Sequence, residues 1–403
     1  GRSVTMRTGI GASAVRRSGE RVASTCQNDT VSDLEAYVSS FETEPGYVDW
    51  AAFGPLSPRV RAEMHADAEL LGTGRRSSID LVRGHVNAAR ELLAEMLGCA
   101  LDEVVLQPST AYGLMQALYG VSGDVLVSRA EFPSLSVTAA RAAAARDDLA
   151  VQWLDPVDGF VTPDAVRAAL TEQTAAVAVS LVDFRTGFLA DLTALREVIG
   201  DRLLIVDAIQ GFGVTDADYA AADVVCGNGY KWLRASRGTG WARFSARARE
   251  RIEPVLSGFA GTAVDLPVDA VPGPAHDASA FTVTASDMLA AGRLATGLEE
   301  IRDAGVRAVA DAVSDRADEI IWYADRYGIP VLTPHERTQR AGIVALAPAP
   351  ADAAGLSAAL VNHGLTFTAR SGLVRLAPHA GTGQDTLQLL ADAFAAFAGE
   401  RSH

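Results

Sequence analysis

Lysine is almost missing from this chain of 403 residues: of its 35 basic side chains one is a lysine, Lys231, and all the others are arginine. The Ala- and Arg-rich composition reads as the product of a GC-rich genome in which Lys codons are scarce. A lysine kept under that bias marks a position where Arg cannot serve. Cysteine is scarce as well. Cys26, Cys99 and Cys226 are an odd number without a close pair, which excludes a disulfide framework and a cysteine-built zinc site. Their expected role is that of small buried apolar residues in a reducing compartment, and the chain is expected to be cytoplasmic. The seven His show no metal-ligand spacing, so no metal is expected. No stretch approaches the about 18 uncharged apolar residues of a membrane span. Residues 1–24 carry five Arg against Glu20 but no continuous apolar run, so they read as a flexible arm and not as a secretory signal. A formal net charge of −15 argues against nucleic-acid or anionic-membrane partners. What is present, 49% hydrophobic and 21% charged residues, is the composition of a folded globular chain.

From about residue 60 to 260, apolar strand-like runs alternate with Ala-rich helical stretches, the pattern of a mostly parallel α/β sheet. The expected strands are 104–107, 124–128, 151–154, 175–182, 203–207, 223–226 and 240–244. Helices are expected over 83–97, 111–119, 134–145, 163–170 and 192–199. Residues 257–280 are rich in Gly and Pro and break the pattern. A long helical region follows from Ser286 to Tyr327, broken near Gly305. The remainder reads strand, helix, strand, helix, over 342–347, 351–362, 374–377 and 384–398. The expected organisation is an arm (1–24), a segment packing on the small domain (25–60), a large domain (61–265) and a smaller C-terminal α/β domain (266–403).

The chemistry gathers around the lone lysine. The strand at 203–206 ends in Asp207, with Gln210 one turn later, and the next strand runs into GNGYKW, which places Lys231 just past its end. Parallel sheets bind ligands at the C-terminal edge of their strands, so an acid and an amine face one crevice. An amine there can form a Schiff base with a carbonyl once desolvation and nearby cations lower its pKa. Pyridoxal phosphate needs such a lysine, together with a carboxylate beside its pyridinium nitrogen. Its phosphate needs an anion site, and Ser109 and Thr110 stand where the first strand enters a helix. Phe132, in Glu131-Phe132-Pro133-Ser134, offers an aromatic face to a planar ring. An arbitrary Lys or strand-end Asp is more often a solvated residue or a cap; the convergence of these groups argues for a site.

These motifs resemble those of the class V aminotransferases, a superfamily of fold-type I pyridoxal phosphate enzymes. The likeness runs from GYVDWAAFGPLSPRV (46–60) to LVRLAPHAGT (373–382), and DAIQGFG followed by GNGYKWLRASRGTGWARFS is its most specific part. The resemblance implies that Lys231 carries the cofactor and Asp207 pairs with its ring nitrogen. Gln210 would meet its phenolic oxygen, and Ser109, Thr110 and the helix start would hold its phosphate. Asn228 stands where many relatives have a phosphate-binding Ser, and Phe132 where a His or aromatic stacks on the ring. Thr284, in FTVTASD, resembles the Thr that reaches the phosphate of the neighbouring subunit, which implies a homodimer, although Val283 replaces the usual Gly before it. Arg370 and Arg375 match the carboxylate-binding positions of desulfurase-like and kynureninase-like members respectively, and the sequence does not choose between them.

The expected substrate is a small amino acid and the first expectation is transamination, with Lys231 shuttling the Cα proton. A lyase cleaving Cβ–S or Cβ–C is the second and epimerisation the third, while a cofactor-binding sensor without turnover has no supporting feature. A persulfide-forming desulfurase is set aside, because no Cys follows Cys226 and Tyr230 replaces the His that desulfurases carry before the lysine.

Overall fold

The computed structural model describes residues 26–156, 159–264 and 270–401. The arm expected over 1–24 and the boundary expected at 265–266 lie outside the described residues. The seven runs expected as strands between 104 and 244 are strands, with ends displaced by no more than two residues. They are β1 (Val104–Gln107), β2 (Gly123–Ser128), β3 (Leu149–Leu154), β4 (Thr174–Ser180), β5 (Leu203–Asp207), β6 (Val224–Asn228) and β7 (Gly240–Phe244).

They form one sheet in the order β1-β7-β6-β5-β4-β2-β3. Strand β7 runs antiparallel to β1 and β6, and all other pairs are parallel. Strands buried on both faces read as unbroken apolar runs, which is why β5 is LLIVD. Alternate residues feed opposite cores. Leu204 and Val206 join one with the helices His85–Leu97, Leu192–Ile199 and Met288–Ala304. Leu203 and Ile205 join the other with the helices Thr110–Leu118 and Pro133–Ala145. The 175–182 run ends as a strand at Ser180, because Leu181 N–H turns to Asp207 O at 2.8 Å and Val182 bridges Leu189 instead.

The long helical region is two helices, Met288–Ala304 and Val306–Arg326, divided at Gly305, whose φ of 84° disfavours any side chain. Beyond it, β8 (Val344–Leu346), β9 (Thr368–Arg370) and β10 (Leu373–Leu376) make an antiparallel sheet in the order β8-β10-β9. Its core joins Val344, Leu346, Val374 and Leu376 to Leu356, Leu387 and Phe394 of the last helices. Strand β9 escapes sequence reading because it is three residues long and its last two are exposed. Residues 47–50 run beside this sheet through Tyr47↔Thr366 and Asp49↔Ala377 bridges. Among the described residues no helix is long and apolar enough to cross a membrane.

Candidate active site

Strands β5 and β6 pair with Asp207 opposite Cys226, so their C-terminal ends open side by side. Past β6 the chain is pinned from several directions. Gly54 N–H donates to Tyr230 O at 2.9 Å, and a Cβ on Gly54 would lie 1.8 Å from Lys231 O. Trp232 Nε1–H donates to Gln210 Oε1 at 3.0 Å, and Gln210 Nε2–H donates to Ala51 O at 3.0 Å. Arg234 and Ser236 take left-handed φ values of 59° and 66°, a strained return held by the surroundings. The buried Arg234 guanidinium lies 3.9 Å over the Phe41 ring and donates to Ser40 Oγ and O at 2.9 and 2.8 Å. His379 is fully buried: its Nδ1 accepts from Ala380 N–H at 2.7 Å, so Nε2 bears the proton and donates to Trp232 O at 3.0 Å. Gly54→Ala would drive a methyl into the lysine's own carbonyl. The expected loss is about 3 kcal/mol in urea unfolding, the upper end for overpacking; a loss below about 1 kcal/mol would show that this contact relaxes freely.

Lys231, Phe132, Gln210, Arg370 and Arg375 line one cleft of about 500 Å³. Lys231 is only 6% exposed, and its Nζ makes no hydrogen bond or ion pair among the described residues. It stands 5.9 Å from the Phe132 ring centroid and 5.5 Å from that of Tyr230. Burial lowers the ammonium's pKa below the ordinary lysine value; Asp207 opposes this, and the charges of Arg375 and Arg237 add to it. The Phe132 ring meets Phe184 edge-on at 5.1 Å and 82°, which leaves its face available. Asp207 is 2% exposed and accepts Ile209 N–H at 3.0 Å. Burial pushes its carboxyl up, opposed by that N–H and by the Lys231 charge.

Ser109 caps the helix Thr110–Leu118 by accepting Tyr112 N–H at 3.4 Å. The Thr110 hydroxyl is buried and has no hydrogen-bond partner among the described residues. Gly240 lets this helix start rest on β7, since a Cβ there would lie 2.5 Å from Ser109 N. Ser109, Thr110 and Asn228 stand outside the walls of the 500 Å³ cleft. Asn228 Oδ1 accepts from Thr239 Oγ1 at 3.0 Å and from Tyr230 N–H at 3.3 Å, so it shapes the β6–Lys231 turn. Thr284 lines a different cavity of about 400 Å³, with Tyr112, Gly238 and Thr239. Arg375, on β10, donates to Phe184 O at 2.9 Å and Thr368 Oγ1 at 3.3 Å and lies 3.6 Å from Asp49 Oδ1, while its Nε is buried and unpartnered. Arg370 is exposed and has no polar partner among the described residues.

Sequence reasoning passed over Glu131, whose carboxylate lines the cleft and accepts Ser180 N–H at 2.9 Å and the Ser180 hydroxyl. Its place beside Phe132 was the available signal. Asp49 has no local signal, because its contact with Arg375 joins distant parts of the chain. His85 Nε2 lies between Asp67 Oδ1 at 3.0 Å and Glu63 Oε1 at 3.2 Å, a cluster that linear spacing hid because His85 sits on another helix.

These residues fit a pyridoxal phosphate. An unpartnered Thr110 hydroxyl and first-turn N–H groups suit its phosphate, a buried carboxylate its ring nitrogen, and a desolvated free amine its carbonyl.

Comparison with known proteins places the arrangement. Residues 47–374 match the family model of the class-V aminotransferases. Cysteine desulfurase IscS of Pseudomonas entomophila (strain L48) is 28% identical over 235 residues, 53% of this chain and 57% of that protein. IscS of Pseudomonas putida (strain GB-1) is 28% identical over 233 residues, with the same shares. The match thus spans little more than half the length of these curated relatives. Among solved structures, a cysteine desulfurase from Thermococcus onnurineus NA1 superposes with a TM-score of 0.78 at 18% identity, covering 95% of this chain and 100% of that one. The cystine C–S lyase C-DES, in complex with cysteine persulfide, superposes with a TM-score of 0.78 at 18% identity, covering 88% and 98%. These likenesses carry the α/β fold, and the family match runs from the 47–50 segment through Lys231 to β10. The chain belongs to the class-V aminotransferase family.

Proposed function

We propose that the protein is a pyridoxal-phosphate-dependent enzyme acting on an amino acid through Lys231. The observation that carries this is the desolvated Lys231 amine, without a hydrogen bond among the described residues and within electrostatic reach of the buried Asp207 at the end of β5. When bound, the cofactor supplies an electron sink that acidifies the amino acid's Cα–H. Asp207 would hold its ring nitrogen, Phe132 its face and Gln210 its phenolic oxygen through the second amide hydrogen. The start of the helix Thr110–Leu118, with Ser109 and Thr110, would hold its phosphate from one side, and Asn228 would border it.

Arg375 suits the substrate α-carboxylate, since a guanidinium binds both oxygens in a planar fork and this one is already aimed by Phe184 O and Thr368. Lys231 accepts the Cα proton, a task for which its lowered pKa raises the share of free amine near neutral pH. Thr284, in a cavity apart from Lys231, supports a homodimer in which it reaches the partner subunit's phosphate. The unpaired thiols Cys99 and Cys226 suit a reducing cytoplasm.

Cleavage of a Cβ–S bond, by elimination, is the reading we favour, because the relatives are named as cysteine desulfurases and a cystine C–S lyase. No cysteine lines the Lys231 cleft among the described residues, which favours release of the sulfur group over its transfer to a protein thiol. Transamination, the first expectation from sequence, is the second reading. Amino acids supplied singly to the loaded enzyme separate the two. Ammonia and a keto acid accumulating over many turnovers without an added keto acid mean elimination. Turnover that requires a keto acid means transamination, and no change in any amino acid, whether to ammonia and a keto acid, to alanine or in optical rotation, contradicts the proposal.

A further inference from the structure

We propose that the cleft takes an amino acid carrying a second anionic group, with Arg375 binding one anion and Arg370 the other. The proposal rests on reading the Lys231 cleft as an amino-acid site and adds the class of substrate.

The cleft is cationic in a chain whose net charge is −15. Arg129, Arg185, Arg370, Arg375 and Lys231 line it, against the carboxylate of Glu131. Most of those cations are already engaged. Arg185 Nη2 lies 2.8 Å from Asp183 Oδ2. Arg129 lies 3.3 Å from Asp155 and 5.0 Å over the Trp153 ring. Arg375 has Asp49, Phe184 O and Thr368. Arg370 has no polar partner among the described residues.

A free surface Arg is ordinary by itself; the register of its hairpin makes this one notable. In the β9–β10 pair, Arg370 is opposite Leu373 and Thr368 is opposite Arg375. Directly opposed residues share a face, as do residues two apart on one strand. Thr368, Arg370, Leu373 and Arg375 therefore stand on one face, and all four line the cleft. The two arginines are diagonal neighbours, which sets their backbones about 7–8 Å apart. The chain reverses immediately after Arg370 through Ser371 and Gly372 at φ 53° and 80°, so the hairpin tip ends there. Ser371 is not a glycine, and its left-handed conformation is a cost the fold carries at this tip. The hairpin thus presents two guanidinium groups to one ligand, the inner one aimed and the outer one free. Each suits a carboxylate, sulfinate or phosphate. Arg370 and Arg375, alternatives from sequence alone, become two ends of one recognition device.

The test uses the cofactor-loaded enzyme and unreactive ligands. α,ω-Dicarboxylates of three to six carbons are compared by calorimetric titration with the monocarboxylates of equal length. At least one diacid is expected to bind about 10-fold more tightly than its monoacid. Arg370→Gln should bring that ratio to within about 2-fold by weakening the diacid alone, while Arg375→Gln should weaken both. No diacid advantage at any length, or an advantage that survives Arg370→Gln, overturns the proposal. The amino-acid reading fails separately and visibly: the protein would then not take up the cofactor, or would bind neither kind of acid.

Discussion

Lys231→Ala is expected to lower turnover by about 10³-fold or more, because it removes both the cofactor's covalent partner and the base at Cα; a positioned acid–base group alone contributes about 10²–10⁴-fold. The fold should survive. Lys231 Nζ has no hydrogen bond to lose, and removing a buried cation relieves a desolvation cost, so the urea midpoint should hold or rise. Lys231→Arg should be equally inactive although it keeps the charge, since a guanidinium offers no free amine at any working pH. Thirty-four positions tolerate Arg in this chain, which makes this second variant the sharper test. If Lys231→Arg kept a tenth of the wild-type rate, the argument from the lone lysine would fail.

His379→Ala should have the largest effect on stability, about 3–5 kcal/mol in urea unfolding at pH 8. The ring packs among Tyr37, Phe41, Trp50 and Trp232, and its loss opens a cavity and leaves Trp232 O and Ala380 N–H without their partner. Burial, with the Arg234 charge adding to it against the Trp232 carbonyl, lowers the imidazole pKa from 6.5 to about 3. Between those values the unfolded chain binds the proton and the folded chain does not. The contribution of His379 is therefore complete above pH 6.5 and is lost as pH falls toward about 3, at up to about 1.4 kcal/mol per pH unit. Wild type minus His379→Ala isolates this slope, because Asp207, pushed up by burial, titrates in the opposite sense in both proteins. Parallel stability–pH curves would show that the ring is not held neutral. Trp232 adjoins Lys231 and donates to Gln210, so the variant should also retain cofactor less well.

How much of this was legible depended on where each signal resides. Asp207 and Lys231 were legible because a buried parallel strand reads as an apolar run and its end is where the run stops; local sequence alone places both. Phe132 was legible through its Pro-Ser context at a helix start. Gly305 marked the helix break. The support under Lys231 was not legible, since Ala51 meets Gln210 and Gly54 meets the Tyr230–Lys231 backbone across long stretches of chain, contacts that no local pattern encodes. His379 fell inside a quoted motif, but its neutral ring and its bond to Trp232 follow from burial alone. That Arg370 and Arg375 share one face follows from the register of β9, a strand too short and exposed to announce itself. Asn228 could be aligned by position, yet its carbonyl is engaged by Thr239 and Tyr230, so a matching position does not carry a matching contact.

The central claim is that Lys231 carries pyridoxal phosphate, and the composition makes its test unusually clean, because the chain has a single ε-amine. The protein is loaded with the cofactor, reduced with borohydride, cleaved at arginine and analysed by peptide mass. One modified peptide is expected, Trp232-containing and carrying the reduced cofactor on Lys231, in stoichiometric yield. An unmodified Lys231 peptide after loading and reduction would contradict that claim.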